Sequence, residues 1–139
     1  MSIVKKFIKW MIFRIQVLLK VEFCELHHFP FDPMQPLSEL AYGTMTHSCN
    51  LLDQAEVKYR LTDGTALGLY RQGEFIKHDN DIDVDVFDIS QDQIEQLIKL
   101  FVVNGYFVGR IAVYKGKTQQ VVFYDKDNVI FDIVIWYEN

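Results

Sequence analysis

Acidic and aliphatic residues alternate along residues 79–86, which read Asp-Asn-Asp-Ile-Asp-Val-Asp-Val. This period of two predicts a β-strand, in which side chains two positions apart lie on the same face. Asp81, Asp83 and Asp85 then share one face, and the aliphatic side chains between them pack on the core from the other. Because neighbouring carboxylates repel each other, the acidic face needs a metal ion, basic side chains or bulk water to offset its charge.

Two simpler interpretations of this segment are a calcium-binding loop and a solvated strand face. A calcium loop that begins at Asp79 requires glycine at its sixth position and glutamate at its twelfth. The sequence has Val84 and Ser90 at those positions, so the calcium loop is excluded. A solvated acidic face stays open from this segment alone.

Two features elsewhere in the chain favour a metal site. Gly64 and Thr65 lie at a predicted strand-to-helix turn, where free backbone N–H groups and a hydroxyl can bind an anion. Asp132 is the only acidic residue in the apolar run 129–137, VIFDIVIWY. A carboxylate in such a strand is costly unless it is paired or binds a metal. These residues together favour phosphate held by backbone groups and a metal held by carboxylates from two strands.

Composition limits the classes of protein that the chain can belong to. Its 139 residues predict a single domain, and a hydrophobic content of 50% with 24% charged residues excludes a disordered or fibrous chain. Two cysteines are too few for a disulfide scaffold or a zinc site. The net charge is −5, but residues 1–20 carry five basic and no acidic residues, which leaves −10 on the rest. This acidic body argues against duplex nucleic acid as the main partner.

Residues 1–26 are predicted to form a basic, amphipathic N-terminal helix. Lysine and arginine interrupt the apolar run too often for a membrane-spanning helix, and no small-residue cleavage site follows it, so a cytoplasmic location is expected. Two alternatives stay open for residues 3–20. The helix either lies on a membrane surface as a peripheral contact, or packs on the protein's own core or on a second subunit of a homo-oligomer.

The remaining chain divides into a proline-rich connection, residues 27–37, and a body, residues 38–139. A helix is predicted over residues 38–57 with Ser38 as its N-cap, and Ser90 and Gln93 fit a capping box that opens a helix to about Val103. The predicted order is α, α, β, α, β, α, β, β, β. This order predicts an α+β fold with a mixed β-sheet flanked by helices.

The sequence resembles the LicD family of the DNA-polymerase-β-like nucleotidyltransferase superfamily, which includes phosphocholine transferases and fukutin-type ribitol-phosphate transferases. The family's hallmark runs roughly Asp-Gly-Thr-Leu-Leu-Gly, an arginine, Phe-Ile-Pro-Trp and then Asp-Asp-Asp-Ile-Asp-Ile. The matching segments here are Asp63-Gly64-Thr65-Ala66-Leu67-Gly68, then Arg71, then Phe75-Ile76-Lys77-His78, and finally Asp79-Asn80-Asp81-Ile82-Asp83-Val84. The departures are Lys77-His78 in place of Pro-Trp and Asn80 in place of an acid.

The resemblance implies a minimal nucleotidyltransferase-like domain, because family members are usually longer and this chain ends seven residues after Asp132. It also implies the residues of the site. The predicted metal ligands and catalytic residues are Asp81, Asp83 and Asp132, and the predicted substrate-binding residues are Gly64, Thr65, Arg71 and His78. Ligands that are all oxygen favour Mg²⁺ or Mn²⁺ over zinc.

The activity implied by the resemblance is a metal-dependent transfer of phosphocholine or a sugar or alditol phosphate. The donor would be nucleotide-activated, with a CDP-linked compound favoured, and the acceptor a cell-surface glycan or a lipid-linked glycan. Two alternatives stay open. One is a small nucleotidyltransferase that modifies a protein or small molecule and releases pyrophosphate, and the other is a non-catalytic module that binds metal or nucleotide and needs a partner chain.

Overall fold

The computed structural model describes residues 2–138, so the predicted domain limits at residues 1 and 139 lie outside the described residues. Four helices and six strands follow one another in this range. They are α1 (Ile3–Leu18), β1 (Phe23–His27), α2 (Ala41–Gln54), β2 (Lys58–Leu61), α3 (Asp63–Gln72), β3 (Ile82–Phe87), α4 (Gln91–Val103), β4 (Phe107–Tyr114), β5 (Lys117–Tyr124) and β6 (Ile130–Trp136).

The strands form one mixed sheet in the order β1-β4-β5-β6-β3-β2. Within residues 2–138 the β3–β6 pair is parallel and the other four neighbouring pairs are antiparallel. The α+β class predicted from the sequence is therefore confirmed. The parallel pair lies away from both edges of the sheet and brings together two strands that are distant in the sequence.

The main core lies between one face of the sheet and helices α1, α2 and α4. Phe101 of α4 is fully buried and stacks on Phe123 of β5, with ring centroids 4.5 Å apart. Phe131 and Ile133 of β6 point to the same core. Since side chains alternate along a strand, Asp132 between them points to the opposite face of the sheet.

That opposite face is partly covered by the proline-rich connection. Phe29 and Phe31 pack against Tyr124 of β5, with ring centroids 5.9 and 5.2 Å from its ring. The backbone carbonyl of Pro33 accepts a hydrogen bond of 3.0 Å from the Asn80 side chain, just before β3. The connection is thus a cover over part of the sheet rather than a free linker.

The predicted helix over residues 1–26 is wrong beyond residue 18. Helix α1 ends at Leu18, and residues 23–27 form the edge strand β1, which pairs antiparallel with β4. Lys20 adopts a positive φ of 51°, which turns the chain out of the helix. From residue 23 onward burial alternates, with Cys24 buried and its neighbours exposed, so the chain has changed from a helical to a strand period.

Two other helix limits can be compared with the sequence. Helix α2 begins at Ala41 with Leu40 as N-cap, so the predicted cap at Ser38 is wrong; the Ser38 carbonyl instead accepts a turn hydrogen bond from Ala41 N. The capping box at Ser90 and Gln93 is confirmed, with both reciprocal hydrogen bonds present, and α4 ends at Val103 as predicted. Local side-chain chemistry thus predicts helix limits well only where the cap is made by the side chain itself.

Gly109 of β4 should be intolerant of any side chain, because a Cβ atom there would overlap the Phe29 ring. We expect Gly109→Ala to lower the free energy of unfolding by about 1–3 kcal/mol, since the ring has to move from its site on the sheet. Gly43→Ala is the matched control, because nothing lies within 4 Å of that position on an exposed helix face. It should stabilise the protein by about 0.5–1 kcal/mol. Chemical denaturation measures both, and equal effects would show that Phe29 does not pack on Gly109.

Candidate active site

The parallel pairing of β3 with β6 places two predicted ligands side by side. Asp83 and Asp132 are direct partners in the register of these strands. Asp81 lies immediately before β3, two positions from Asp83. One carboxylate oxygen from each of Asp81, Asp83 and Asp132 lies within 4.8 Å of the other two. The structure therefore brings together the three carboxylates that the sequence analysis selected as metal ligands.

The start of helix α3 holds the backbone of Asp83. The β2–β3 ladder ends at the Leu61–Val84 pair, so the peptide groups of Asp83 need other partners on that side. Asp83 N–H donates to the Thr65 hydroxyl at 2.8 Å, and Thr62 N–H donates to the Asp83 carbonyl at 3.0 Å. Thr65 is fully buried, so its hydroxyl positions β3, and the direct phosphate contact suggested by the sequence stays a prediction.

Gly64 leaves room for the carboxylate of Asp79. A Cβ atom at residue 64 would lie 2.7 Å from Asp79 Oδ2, closer than any normal contact. The other oxygen, Oδ1, accepts a hydrogen bond of 3.0 Å from Asn80 N–H. Oδ2 is buried and has no hydrogen-bond partner among residues 2–138. An unpartnered carboxylate oxygen thus lies against the N-terminal turn of α3, beside the three clustered aspartates.

Gln120 of β5 orients the carboxylate of Asp132. Its amide nitrogen lies 2.9 Å from both oxygens of Asp132 and donates to them. The sequence analysis missed Gln120, because a glutamine on a strand is usually an ordinary solvent-facing residue. No local pattern could have found it, because its placement two positions before Val122, the register partner of Asp132, is known only from the pairing of β5 with β6.

Asp85 does not belong to the cluster, although it lies on the same face of β3. Asp85 is 5% exposed, and its carboxylate accepts two hydrogen bonds of 3.2 Å from the Arg60 guanidinium on β2. Within residues 2–138, no ion pair reaches Asp81, Asp83 or Asp132. The acidic row is therefore compensated by an arginine at one end, while no described residue forms an ion pair with the three clustered carboxylates.

The missing compensation raises the pKa values of the clustered carboxyl groups. Burial, together with the negative charges of Asp132 and Asp79, raises the pKa of Asp81 to about 6. Burial and the neighbouring charges of Asp81 and Asp132 raise the pKa of Asp83 to about 8. Burial also raises the pKa of Asp132, against the opposing effect of the hydrogen bond from Gln120. The three groups cannot all ionise cheaply without a cation between them.

The other predicted substrate-binding residues lie on exposed positions. Arg71 is exposed in the last turn of α3, seven residues beyond Gly64, which corresponds to about 10 Å along the helix axis. His78 has a positive φ of 75° and is exposed directly before Asp79. It lines an open cleft of about 320 Å³ together with Lys77 and Tyr42. Neither side chain belongs to the carboxylate cluster.

The donor set of the cluster fits a hard divalent cation. The three side chains supply oxygen ligands only, which suits Mg²⁺ or Mn²⁺ and not zinc. A cation would also relieve the repulsion that raises the pKa values of these carboxyl groups. Gln120 supplies the outer hydrogen bond that commonly orients a metal-binding carboxylate.

Comparison with known proteins identifies one family. The model of the family described as LicD/FKTN/FKRP, nucleotidyltransferase domain, matches residues 56–139. This range is more than half of the chain and contains β2 through β6, including every residue of the cluster. No curated protein matches the chain significantly.

Without divalent metal, stability should fall as the pH rises. The unfolded value of an aspartate is near 3.8, whereas the pKa of Asp83 in the folded protein is about 8. Between these values the unfolded chain has released a proton that the folded chain keeps, so the free energy of unfolding decreases with pH and levels off above about pH 8. Thermal unfolding in EDTA from pH 5 to 9 measures this.

The Asp83→Asn variant should remove most of this pH dependence of the free energy of unfolding. It abolishes one charge of the cluster, and we expect the metal-free variant to be about 1–2 kcal/mol more stable than the wild type at pH 8. Asp88→Asn is the matched control, because Asp88 is exposed just beyond the other end of β3 and its contact with Lys58 is a weak surface pair. If both variants keep the wild-type pH profile, the cluster is not electrostatically strained.

Two conservative substitutions test whether the hydroxyl of Thr65 holds strand β3 in place. Thr65→Val keeps the shape but removes the acceptor for Asp83 N–H, and should lower the free energy of unfolding by about 1–3 kcal/mol. Thr65→Ser retains the hydroxyl and should cost less. Denaturant unfolding in EDTA compares them. Equal stabilities of the valine and serine variants would mean that the hydroxyl does not hold β3.

Proposed function

The chain belongs to the LicD family, and from its nucleotidyltransferase domain we propose that it is a metal-dependent transferase. The transferred group is a phospho-substituent, phosphocholine or a sugar or alditol phosphate. Its donor is a nucleotide-activated compound, most simply a CDP-linked one, and its acceptor is a hydroxyl of a glycan. The observation that carries this proposal is the juxtaposition of Asp81, Asp83 and Asp132, none of which has an ion-pair partner among residues 2–138.

Asp81, Asp83 and Asp132 would hold Mg²⁺ or Mn²⁺ in this proposal. The ion supplies positive charge that stabilises the phosphoryl oxygens during an in-line displacement. Gln120 keeps the Asp132 carboxylate in one orientation, and Thr65 keeps the backbone of Asp83 in place. The pairing of β3 with β6, and not the conformation of flexible side chains, therefore determines where the three carboxylates lie.

The donor phosphates fit the N-terminal turn of α3. No side chain caps this helix, so the first N–H groups are available to an anion. Gly64 adds no side chain to this turn, and because the Asp79 carboxylate lies where its Cβ would be, a phosphate would bind the N–H groups beside that carboxylate. Arg71 lies on the same helix with an exposed guanidinium and can reach the distal part of the donor or the acceptor. His78, exposed before the acidic segment, is a further phosphate contact in this proposal.

Proton transfer at Asp132 completes the reaction. The oxygen of the acceptor hydroxyl forms a bond to the donor phosphorus, and the bond from phosphorus to the nucleoside monophosphate breaks. The hydroxyl proton moves to a carboxylate oxygen of Asp132. Asp132 acts as the general base in this proposal, with its carboxylate oriented by the hydrogen bonds from Gln120.

Calorimetric titration of the full chain tests this function at the binding step. We expect CDP-choline to bind in the presence of Mg²⁺ or Mn²⁺ and to lose affinity in EDTA. Asp83→Asn should weaken metal-dependent binding by at least about 10-fold. Asp88→Asn, with the same chemical change outside the cluster, should bind as the wild type does.

Nucleotide preference and turnover distinguish the alternatives. CTP and ATP are titrated in parallel, and pyrophosphate release is followed with each. Preference for a nucleoside triphosphate with release of pyrophosphate would replace the proposal by nucleotidyl transfer. A chain that binds none of these compounds with either metal would contradict a self-sufficient transferase site.

A further inference from the structure

Helix α1 turns its apolar side outward. Its inward contacts come from Phe13, which is buried in the main core, and Val17, which packs against that core. Nine other large apolar side chains of α1 are exposed. They are Ile3, Val4, Phe7, Ile8, Trp10, Met11, Ile12, Ile15 and Leu18. An amphipathic helix of a soluble protein normally buries this face, so the exposed surface is typical of an interaction site.

The polar contacts of α1 fix this orientation. Lys9 Nζ donates a hydrogen bond of 2.8 Å to the carbonyl of His27 in β1. Arg14 lies 3.7 Å from Glu95 of α4. The helix is thus attached to the body through basic side chains as well as through Phe13. Phe7, Met11 and Ile15, spaced by four residues, form a stripe on the outer side and are 62%, 46% and 51% exposed.

We propose that α1 docks the protein on an anionic lipid surface, with this outer stripe at the boundary between headgroups and acyl chains. The positive charge of the N-terminal segment favours an anionic lipid surface over a second copy of the chain. Residues 1–20 carry five positive and no negative charges, which complement anionic headgroups. A symmetric contact between two copies would instead bring two such basic segments together. Lys5, which is exposed beside the outer stripe on a helical projection, has a long stem that can reach headgroup phosphates.

The α1 helix lies along the bilayer surface in this proposal. Its 16 residues span about 24 Å, and among the described residues no helix is long and apolar enough to cross a membrane. The sheet separates α1 from the carboxylate cluster, because Phe13 packs on the core face and Asp132 points to the opposite face. The acidic site therefore does not have to approach the anionic surface that the helix binds.

Sedimentation with lipid vesicles tests the proposal on the full chain. We expect the protein to bind vesicles of phosphatidylserine and phosphatidylcholine at least about 10-fold more tightly than vesicles of phosphatidylcholine alone. Binding should weaken when NaCl is raised from about 0.1 to about 0.5 M, because surface attraction is screened. Equal binding to both vesicle types, or no binding to the anionic ones, would overturn the proposal without any substitution.

A double variant tests the outer stripe directly. Phe7→Gln/Ile15→Gln should lower vesicle affinity by at least about 10-fold, since two exposed apolar side chains are lost and glutamine preserves helix propensity. Tyr70→Gln/Val103→Gln is the matched control, because both residues are exposed on other helices. It should bind vesicles as the wild type does, and both variants should melt near the wild-type temperature.

Sedimentation velocity without lipid distinguishes a second copy of the chain from a membrane. We expect a monomer at micromolar concentration. A wild-type dimer that the Phe7→Gln/Ile15→Gln variant converts to monomer, with no binding to anionic vesicles, would assign the stripe to self-association and overturn the proposal. Neither vesicle sedimentation nor sedimentation velocity uses nucleotide or divalent metal. Failure of the lipid-binding proposal can therefore be distinguished from failure of the transferase proposal.

Discussion

Repulsion between carboxylates is the interaction around which the centre of this protein is organised. The register of β3 on β6 places Asp83 against Asp132, and Asp81 completes a group that forms no ion pair with any described residue. Such an arrangement survives only if the backbone that carries it is held rigidly by other contacts. The aliphatic residues of β3, all fully buried on the core face, supply that hold, and Thr65 and Thr62 secure the peptide groups at Asp83.

The neighbouring Asp85 shows how a buried carboxylate is ordinarily stabilised, by an ion pair with a basic side chain. It lies on the same face of the same strand, yet Arg60 meets it with two hydrogen bonds. One strand thus carries an internally neutralised carboxylate and, two residues earlier, an unneutralised one. This contrast within six residues is stronger support for a cation site than the number of aspartates, because acidic strand faces are common on protein surfaces.

Much of the sheet and the identity of the cluster followed from local patterns. The alternation from Asp81 to Val86 predicted β3, the isolated Asp132 predicted the third carboxylate of the cluster, and the capping box at Ser90 predicted α4. The missed features depend on contacts between distant segments. Strand β1 is five residues long and follows a helix directly, so only its pairing with β4 defines it. Gln120 and Arg60 acquire their roles from strand register, which no local period encodes. The orientation of α1 could not be deduced from its sequence either, because a helical period reveals two faces but not which one meets the body.

The parallel β3–β6 pair has a consequence for the order of events during folding. Asp83 and Asp132 are 49 positions apart in the sequence, with α4, β4 and β5 between them. Closing so long a loop is entropically unfavourable until the intervening hairpin and helix have packed. We therefore expect the cluster to assemble late, after the helix and hairpin between its strands, so that the acidic residues are forced together only once β6 is in place.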